Sequence, residues 1–316
     1  MLSRIAILCA LILWVALPAR AQAPLQVVTT TGMIADAARE VGGEHVEVRS
    51  LMGPGVDPHS YRQTRSDIAA LTRADLVLWH GLYLEAQMEE LLEKLAERQP
   101  VVAVAEALPR ERLLSYGTYE GRWDPHVWMD PELWGEVVLS VRDALSDARP
   151  EAAEDFGRNA DVYREKLTAL DGYAAEVTAT VPEGRRVLVT AHDAFSYFGD
   201  AYDVEVLGIQ GISTESEAGL ARIGELVDLL VERDIGAVFV ESSVSDRNVR
   251  ALAEGAAAQG HEVRIGGELY SDAMGEPGTY EGTYLGMIDH NVTTIVRALG
   301  GEVPSRGMNG LLEAGA

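Results

Sequence analysis

The sequence predicts an α/β protein of two lobes, each a mostly parallel sheet flanked by helices, bridged by one long α-helix. Three observations carry that reading. Short apolar runs alternate with helical patterns in both halves of the chain, and such alternation builds a parallel sheet covered on both faces. Between the halves lies one unbroken amphipathic stretch, residues 150–180. The length, about 290 residues once an export signal is removed, exceeds one ordinary core and suits two.

In the first half the apolar runs are 25–30, 46–51, 74–80 and 101–105. Between them, Ile34, Ala35, Ala38 and Val41 recur at helical spacing and stop at Gly42-Gly43. Ser66-Asp67 opens a second helix containing Ile68 and Leu71, and residues 85–98 read as a third, rich in Leu, Glu and Lys. Asp130 before Pro131 has the form of a helix N-cap with proline in the first turn. In the connecting stretch Phe156, Tyr163, Leu167, Leu170, Tyr173 and Val177 recur at steps of three, four and seven. A helix of about 28 residues there spans about 42 Å, enough to run along two stacked lobes and restrict their motion. The second half offers strands at 186–191, 204–208, 237–241 and 262–265, with helices at 218–233 and 249–259. The expected division is a signal peptide at 1–21, a lobe at 22–148, the linking helix at 149–181 and a second lobe at 182–316.

Residues 1–21 combine Arg4, an apolar run from Ile5 to Leu17 and Ala19-Arg20-Ala21, the pattern of a secretory signal peptide whose apolar core is too short to span a bilayer. A periplasmic protein is therefore expected. Cys9, the only cysteine, sits inside the apolar run with Leu8 before it, which argues against lipid anchoring there. With Cys9 removed, disulfides, thiolate ligands and cysteine nucleophiles are excluded. Any metal must then be held by nitrogen and oxygen. The formal charge is 26 minus 50, or −24, and −26 without Arg4 and Arg20. That surface disfavours nucleic acid and anionic membranes and serves solubility.

Asp57-Pro58-His59 and Asp124-Pro125-His126 repeat one tripeptide in a chain with seven histidines. Proline stiffens the turn and holds the preceding residue extended, so each histidine is presented at low entropic cost. One such tripeptide is commonly an ordinary turn; two, plus His192 at the end of the apolar run 186–191, point to a metal. In open α/β sheets ligands bind beyond the carboxyl ends of strands, and all three histidines sit in such loops. Asp272, just after the last strand of the second half, is the fourth candidate, giving two ligands from each lobe.

These segments resemble the zinc- and manganese-specific solute-binding proteins of ABC importers. The likeness runs through Gly53-Pro54-Gly55-Val56-Asp57-Pro58-His59, Asp124-Pro125-His126-Val127-Trp128-Met129-Asp130, Ala191-His192-Asp193-Ala194-Phe195-Ser196-Tyr197-Phe198, Phe239-Val240-Glu241-Ser242-Ser243 and Leu269-Tyr270-Ser271-Asp272-Ala273-Met274-Gly275, in the family's order. It implies one Zn²⁺ or Mn²⁺ per chain, carried as cargo between the lobes by His59, His126, His192 and Asp272. It also implies delivery to a membrane permease driven by a cytoplasmic ATPase. Two departures pull apart on the metal. Residues 106–124 lack the histidine-rich loop common in zinc-dedicated members, whereas His192 stands where manganese-dedicated members often carry glutamate. Three imidazoles and one carboxylate suit tetrahedral zinc, and a carboxylate binding through both oxygens suits Mn²⁺.

His45, His80, His261 and His290 read as structural, with His80 the one to watch because it too ends a strand. Glu241 is a candidate acceptor for a ligand imidazole, Asp193 a candidate cap for the helix after His192, and Trp123, Trp128 and Trp134 candidates for interface packing. The chain is read as a monomeric binding protein and not an enzyme: it has no His-Glu-x-x-His helix and no Gly-x-Ser-x-Gly elbow. The alternatives are a metal-stabilised adhesin or scaffold and, further off, a zinc-dependent hydrolase. Alanine at His59, His126 or His192 is expected to weaken binding severely without unfolding, on the premise that the ligands are exposed.

Overall fold

The computed structural model describes residues 23–115, 121–216 and 218–313; the expected signal peptide, with Cys9, lies outside them. Strands β1 (Leu25–Thr29), β2 (Val46–Ser50), β3 (Leu76–Trp79) and β4 (Val101–Ala103) form one parallel sheet in the order β2-β1-β3-β4. Inner strand β3 is buried along its whole length, as its unbroken Leu-Val-Leu-Trp run requires of a strand covered on both faces. At the edge, β2 alternates half-buried Val46 and Val48 with exposed Glu47 and Arg49.

Helices α1 (Gly32–Gly42), α2 (Arg65–Leu71) and α3 (Glu89–Ala96) connect these strands. The start of α2 is one residue earlier than Ser66 because Thr64 and Asp67 form a reciprocal capping box. The third helix is shorter than residues 85–98. Glu85 is withdrawn from it because its buried carboxylate accepts hydrogen bonds from the Thr30 hydroxyl and from the backbone N–H of His80 and Gly81. Helix α4 (Pro131–Ala148) is capped as expected, with Asp130 Oδ1 accepting from the N–H of Glu132 at 2.8 Å and of Leu133 at 3.2 Å.

The long helix α5 (Ala153–Thr178) is 26 residues, about 39 Å at 1.5 Å per residue. Its buried stripe is Phe156, Ala160, Tyr163, Leu167, Leu170, Ala174 and Val177, alternating steps of four and three. Tyr163 donates to Asp36 Oδ2 in α1 at 2.8 Å, and Asn159 donates to the Val41 carbonyl at 2.9 Å. Strand β5 (Val187–Thr190), helix α6 (Ser196–Tyr202), strand β6 (Glu205–Gly208), helix α7 (Leu220–Glu232), strand β7 (Ala237–Glu241), helix α8 (Arg247–Ala258), strand β8 (Arg264–Leu269) and helix α9 (Tyr284–Ala298) complete the chain. Strand β5 pairs in parallel with β6, β7 pairs in parallel with β8, and β5 lies beside β7. The second half of α5 packs on α6 and α9, with Tyr202 donating to Asp171 at 2.9 Å. Two α/β lobes are thus bridged by one helix.

Strand β8 runs to Leu269, past the expected end at Ile265. Gly266 and Gly267 look like terminators but are close-packing residues: a Cβ would stand 2.7 Å from the Phe239 ring at Gly266 and 2.4 Å from Thr294 at Gly267. They let the strand pass under α9 and carry Ser271 and Asp272 to the sheet's carboxyl end.

One apolar cluster runs from the inner face of the first sheet through α1, α4, α5 and α9 to Phe195 and Phe239 of the second half. Separate clusters fill the space under α2 and α3 and under α7 and α8. Among the described residues no helix is long and apolar enough to cross a membrane. Tyr163→Phe is expected to destabilise the protein by about 1–3 kcal/mol, because the 9% exposed Asp36 would retain only the Tyr284 N–H; urea denaturation checks this.

Candidate metal centre

The loop after β2 brings in His59, the segment after β4 brings in His126, β5 ends two residues before His192, and β8 ends three residues before Asp272. All four converge, each offering one donor atom, and these atoms lie within 4.8 Å of one another. His59 Nε2 is 3.2 Å from His126 Nε2. Asp272 Oδ1 is 3.4 Å from His126 Nε2, and Oδ2 is 3.4 Å from His192 Nε2. Donors about 2.0–2.1 Å from a tetrahedral ion stand about 3.3–3.4 Å apart, and these three contacts fall at or near that spacing.

The four candidate ligands are not exposed, contrary to the sequence expectation: His126 and His192 are 0% exposed, Asp272 2% and His59 3%. The segments that deliver them follow strands of both halves, and one shared apolar core packs those halves together. His192 Nε2 and Asp272 Oδ1 are buried without a hydrogen-bond partner. Buried polar atoms of that kind call for a ligand.

Two carboxylates set the imidazoles. His126 donates Nδ1–H to Asp124 Oδ1 at 2.7 Å, and His192 donates Nδ1–H to Glu241 Oε2 at 2.5 Å. Glu241 also accepts the His192 backbone N–H at 2.9 Å. Fixing Nδ1 as the donor turns each Nε2 toward the centre and raises its basicity. Burial acts to lower the His126 pKa, but Asp124 and Asp272 outweigh it and raise it to about 9. His192 is likewise pressed down by burial and held well above the usual histidine range by Glu241 and Asp272. His59 is pushed down to about 4 by burial, which Asp272 opposes and His126 and His192 reinforce. Asp272 is held well below the usual carboxylate range by His192 and His126 despite its burial.

With this centre defined, residues 27–298 match the family described as zinc-uptake complex component A, periplasmic (ZnuA). The chain belongs to that family. It is 53% identical over 276 residues to the manganese-binding lipoprotein MntA of Bacillus subtilis (strain 168), covering 87% of this chain and 90% of the relative. It is 48% identical over 273 residues to the zinc-binding protein TroA of Treponema pallidum (strain Nichols), covering 86% and 88%. The solved structure of periplasmic zinc-binding TroA from Treponema pallidum superposes with a TM-score of 0.85 at 47% identity, covering 87% of this chain and 99% of that one.

The surroundings sort this ZnuA-family chain's other candidates. His80 donates Nε2–H to the Pro125 carbonyl at 2.7 Å, bracing the turn beneath His126. Burial lowers its pKa to about 3, against the raising effect of that bond. His45 pairs with Asp155, while His261 and His290 donate to the carbonyls of Ile235 and Glu268. Trp128 donates Nε1–H to the Ser271 carbonyl at 2.8 Å, and Trp134 stacks on Tyr284 at 5.5 Å, so both tie the halves together. Trp123 is half-buried against the same core. Asp193 does not cap α6: the N-cap is Phe195 without a side-chain bond, and Asp193 accepts from the Ser196 hydroxyl instead.

Asp124 was missed by sequence reasoning, which used it only as a turn residue. The signal was present in the tripeptide, since an aspartate two positions before a histidine can reach both its N–H and its ring. In this ZnuA-family site Glu241→Gln is expected to weaken metal binding about 10–100-fold by removing the charged partner of His192; competition against a chelator measures it.

Proposed function

We propose that this chain captures one divalent transition ion, Zn²⁺ or Mn²⁺, as cargo through His59, His126, His192 and Asp272. It then hands the ion to the membrane permease of an ABC importer driven by a cytoplasmic ATPase. The observation that carries this is the buried set of four donors gathered within 4.8 Å of one another, with His192 Nε2 and Asp272 Oδ1 lacking a hydrogen-bond partner. In this reading residues 22–148 and 182–316 are the two gripping lobes and 149–181 the connector. The protein works in the periplasm as a monomer, after export by the segment 1–21.

A receptor fits better than a hydrolase. A catalytic zinc keeps an open position for water and a general base beside it. Here the neighbouring carboxylates are committed, Asp124 to His126 and Glu241 to His192. The two relatives named above divide between manganese and zinc, and the donor set accepts both. Affinity does not decide, because zinc outcompetes manganese at most nitrogen and oxygen sites.

Elemental mass spectrometry of the mature protein, exported by its own cell in metal-replete medium, tests the reading. One Mn²⁺ or one Zn²⁺ per chain, lost in His192→Ala, supports a receptor and names its cargo. A chain isolated without stoichiometric metal, and taking up none on titration, overturns it.

A further inference from the structure

The four candidate ligands are at most 3% exposed, so an ion needs a way in. Two cavities between the halves reach toward them. One, of about 300 Å³, is lined by Asp57 and Ser243 but by none of the four, and the Thr214 hydroxyl donates across it to Asp57 Oδ2 at 2.6 Å. The other, of about 380 Å³, is lined by Asp272 itself, by Thr31, Asp36, Arg39 and Met52 of the first half, and by Met274. Asp36 Oδ2 accepts from the Tyr163 hydroxyl and the Tyr284 N–H, and Oδ1 takes part in neither bond. Thr31 is 2% exposed, and its Oγ1 has no hydrogen-bond partner.

We propose that the larger cavity is the passage by which the hydrated divalent ion enters and leaves, with Thr31 and Asp36 as its way-station. This rests on the reading that His59, His126, His192 and Asp272 hold the cargo. Waters on a cation present their hydrogens outward, so the lining of such a passage must accept hydrogen bonds. Thr31 Oγ1, Asp36 Oδ1 and, at the inner end, Asp272 Oδ1 supply the acceptors. A buried hydroxyl oxygen without a partner calls for something that arrives to meet it. About six waters around an ion occupy roughly 180 Å³ at about 30 Å³ each, so the hydrated ion fits. Asp272 is the first ligand it meets, and there it begins to exchange water for protein.

Two further features of the lining bear on traffic. Arg39 is exposed, and its charge repels an approaching cation. Met52 and Met274 are buried, and unbranched thioether side chains repack readily. An ion can therefore pass them without movement of α5.

Wild type, Gly53→Trp, Arg39→Gln and Ser245→Trp, each as the full mature chain, are compared by stopped flow. Metal-free protein is mixed with Zn²⁺ for association, and loaded protein with excess chelator for release. Trp128, whose ring centroid lies 5.1 Å from that of His126, reports both by its fluorescence. Gly53 lines the passage, and a Cβ there meets nothing within 4 Å, so a tryptophan can plug it. Gly53→Trp is expected to slow association and release alike by about tenfold or more, leaving Kd within about twofold. Arg39→Gln is expected to speed association by about threefold at low salt, a gain that fades as salt is raised. Ser245→Trp, at the exposed rim of the other cavity, is expected to change neither rate. Unchanged rates in Gly53→Trp, a loss of its affinity through faster release alone, or slowing in Ser245→Trp instead overturns the passage. A wild-type chain that binds no Zn²⁺, or a His192→Ala variant that binds as tightly as wild type, overturns the ligand set itself and with it this inference.

Discussion

His192→Ala is expected to lose metal binding and to destabilise the metal-free protein, whereas His59→Ala is expected to lose binding with little effect on stability. Zinc bound by four protein ligands is worth about 10–16 kcal/mol, so one ligand carries roughly 2.5–4 kcal/mol, a weakening of about 70- to 900-fold. The stability difference comes from charge. His192 is held protonated at neutral pH by Glu241 and Asp272, which are 3% and 2% exposed. Removing it leaves two buried carboxylates short of a cation, a loss of about 3–5 kcal/mol. His59, with its pKa near 4, is neutral and takes no buried charge with it. Urea denaturation of the metal-free variants, run beside chelator competition, separates the two effects. Equal stability of both variants would show that the His192 imidazole is not a structural cation.

Metal affinity is expected to climb steeply with pH through the neutral range. Only the neutral imidazole binds an ion. In the metal-free protein His126 keeps its proton up to about pH 9 and His192 beyond the usual histidine range. Both pKa values are raised, so the protons are present at neutral pH and the ion must displace two of them. Affinity is therefore lost as pH falls, by up to about a hundredfold per pH unit between roughly pH 5.5 and 7.5. Asp272 stays ionised throughout, because its pKa is held well below the usual carboxylate range. Calorimetry in buffers of different ionisation enthalpy is expected to report about two protons released per ion near pH 7. Release of none would mean that both imidazoles are already neutral before the metal arrives.

The same linkage supplies a physical route for letting cargo go. His126 and His192 prefer the proton strongly once the ion is absent, and Asp124, Glu241 and Asp272 then balance the charge. The metal-free centre therefore remains a paired network of three carboxylates and two imidazolium groups. It need not open fully to water to stay stable.

Much was legible in the sequence because it is local. Strand runs, the Asp130-Pro131 cap and the α5 stripe are written at periods that backbone geometry reads directly. The four candidate ligands were legible too, since each stands at or after the carboxyl end of a strand run, where an α/β sheet places its ligands. Glu241 was legible for the same reason, at the end of β7.

What only the tertiary structure decided is what each residue meets. The two Asp-Pro-His tripeptides are identical in letters and differ in use. Asp124 is buried beneath His126 and accepts from its ring, in a segment pinned by the Tyr197 hydroxyl donating to the Asp124 carbonyl. Asp57 accepts only the backbone N–H of His59, and its other oxygen takes hydroxyls from Ser60 and, across the cleft, Thr214. Glu85 was read as helical, yet it leaves the helix because the His80 turn brings two N–H groups to its carboxylate. Local sequence sets backbone preference and the order of elements. Burial, ionisation and the partner of each polar atom depend also on segments distant in the sequence, 73 residues for Tyr197 and Asp124 and 157 for Thr214 and Asp57, and no local pattern encodes those distances.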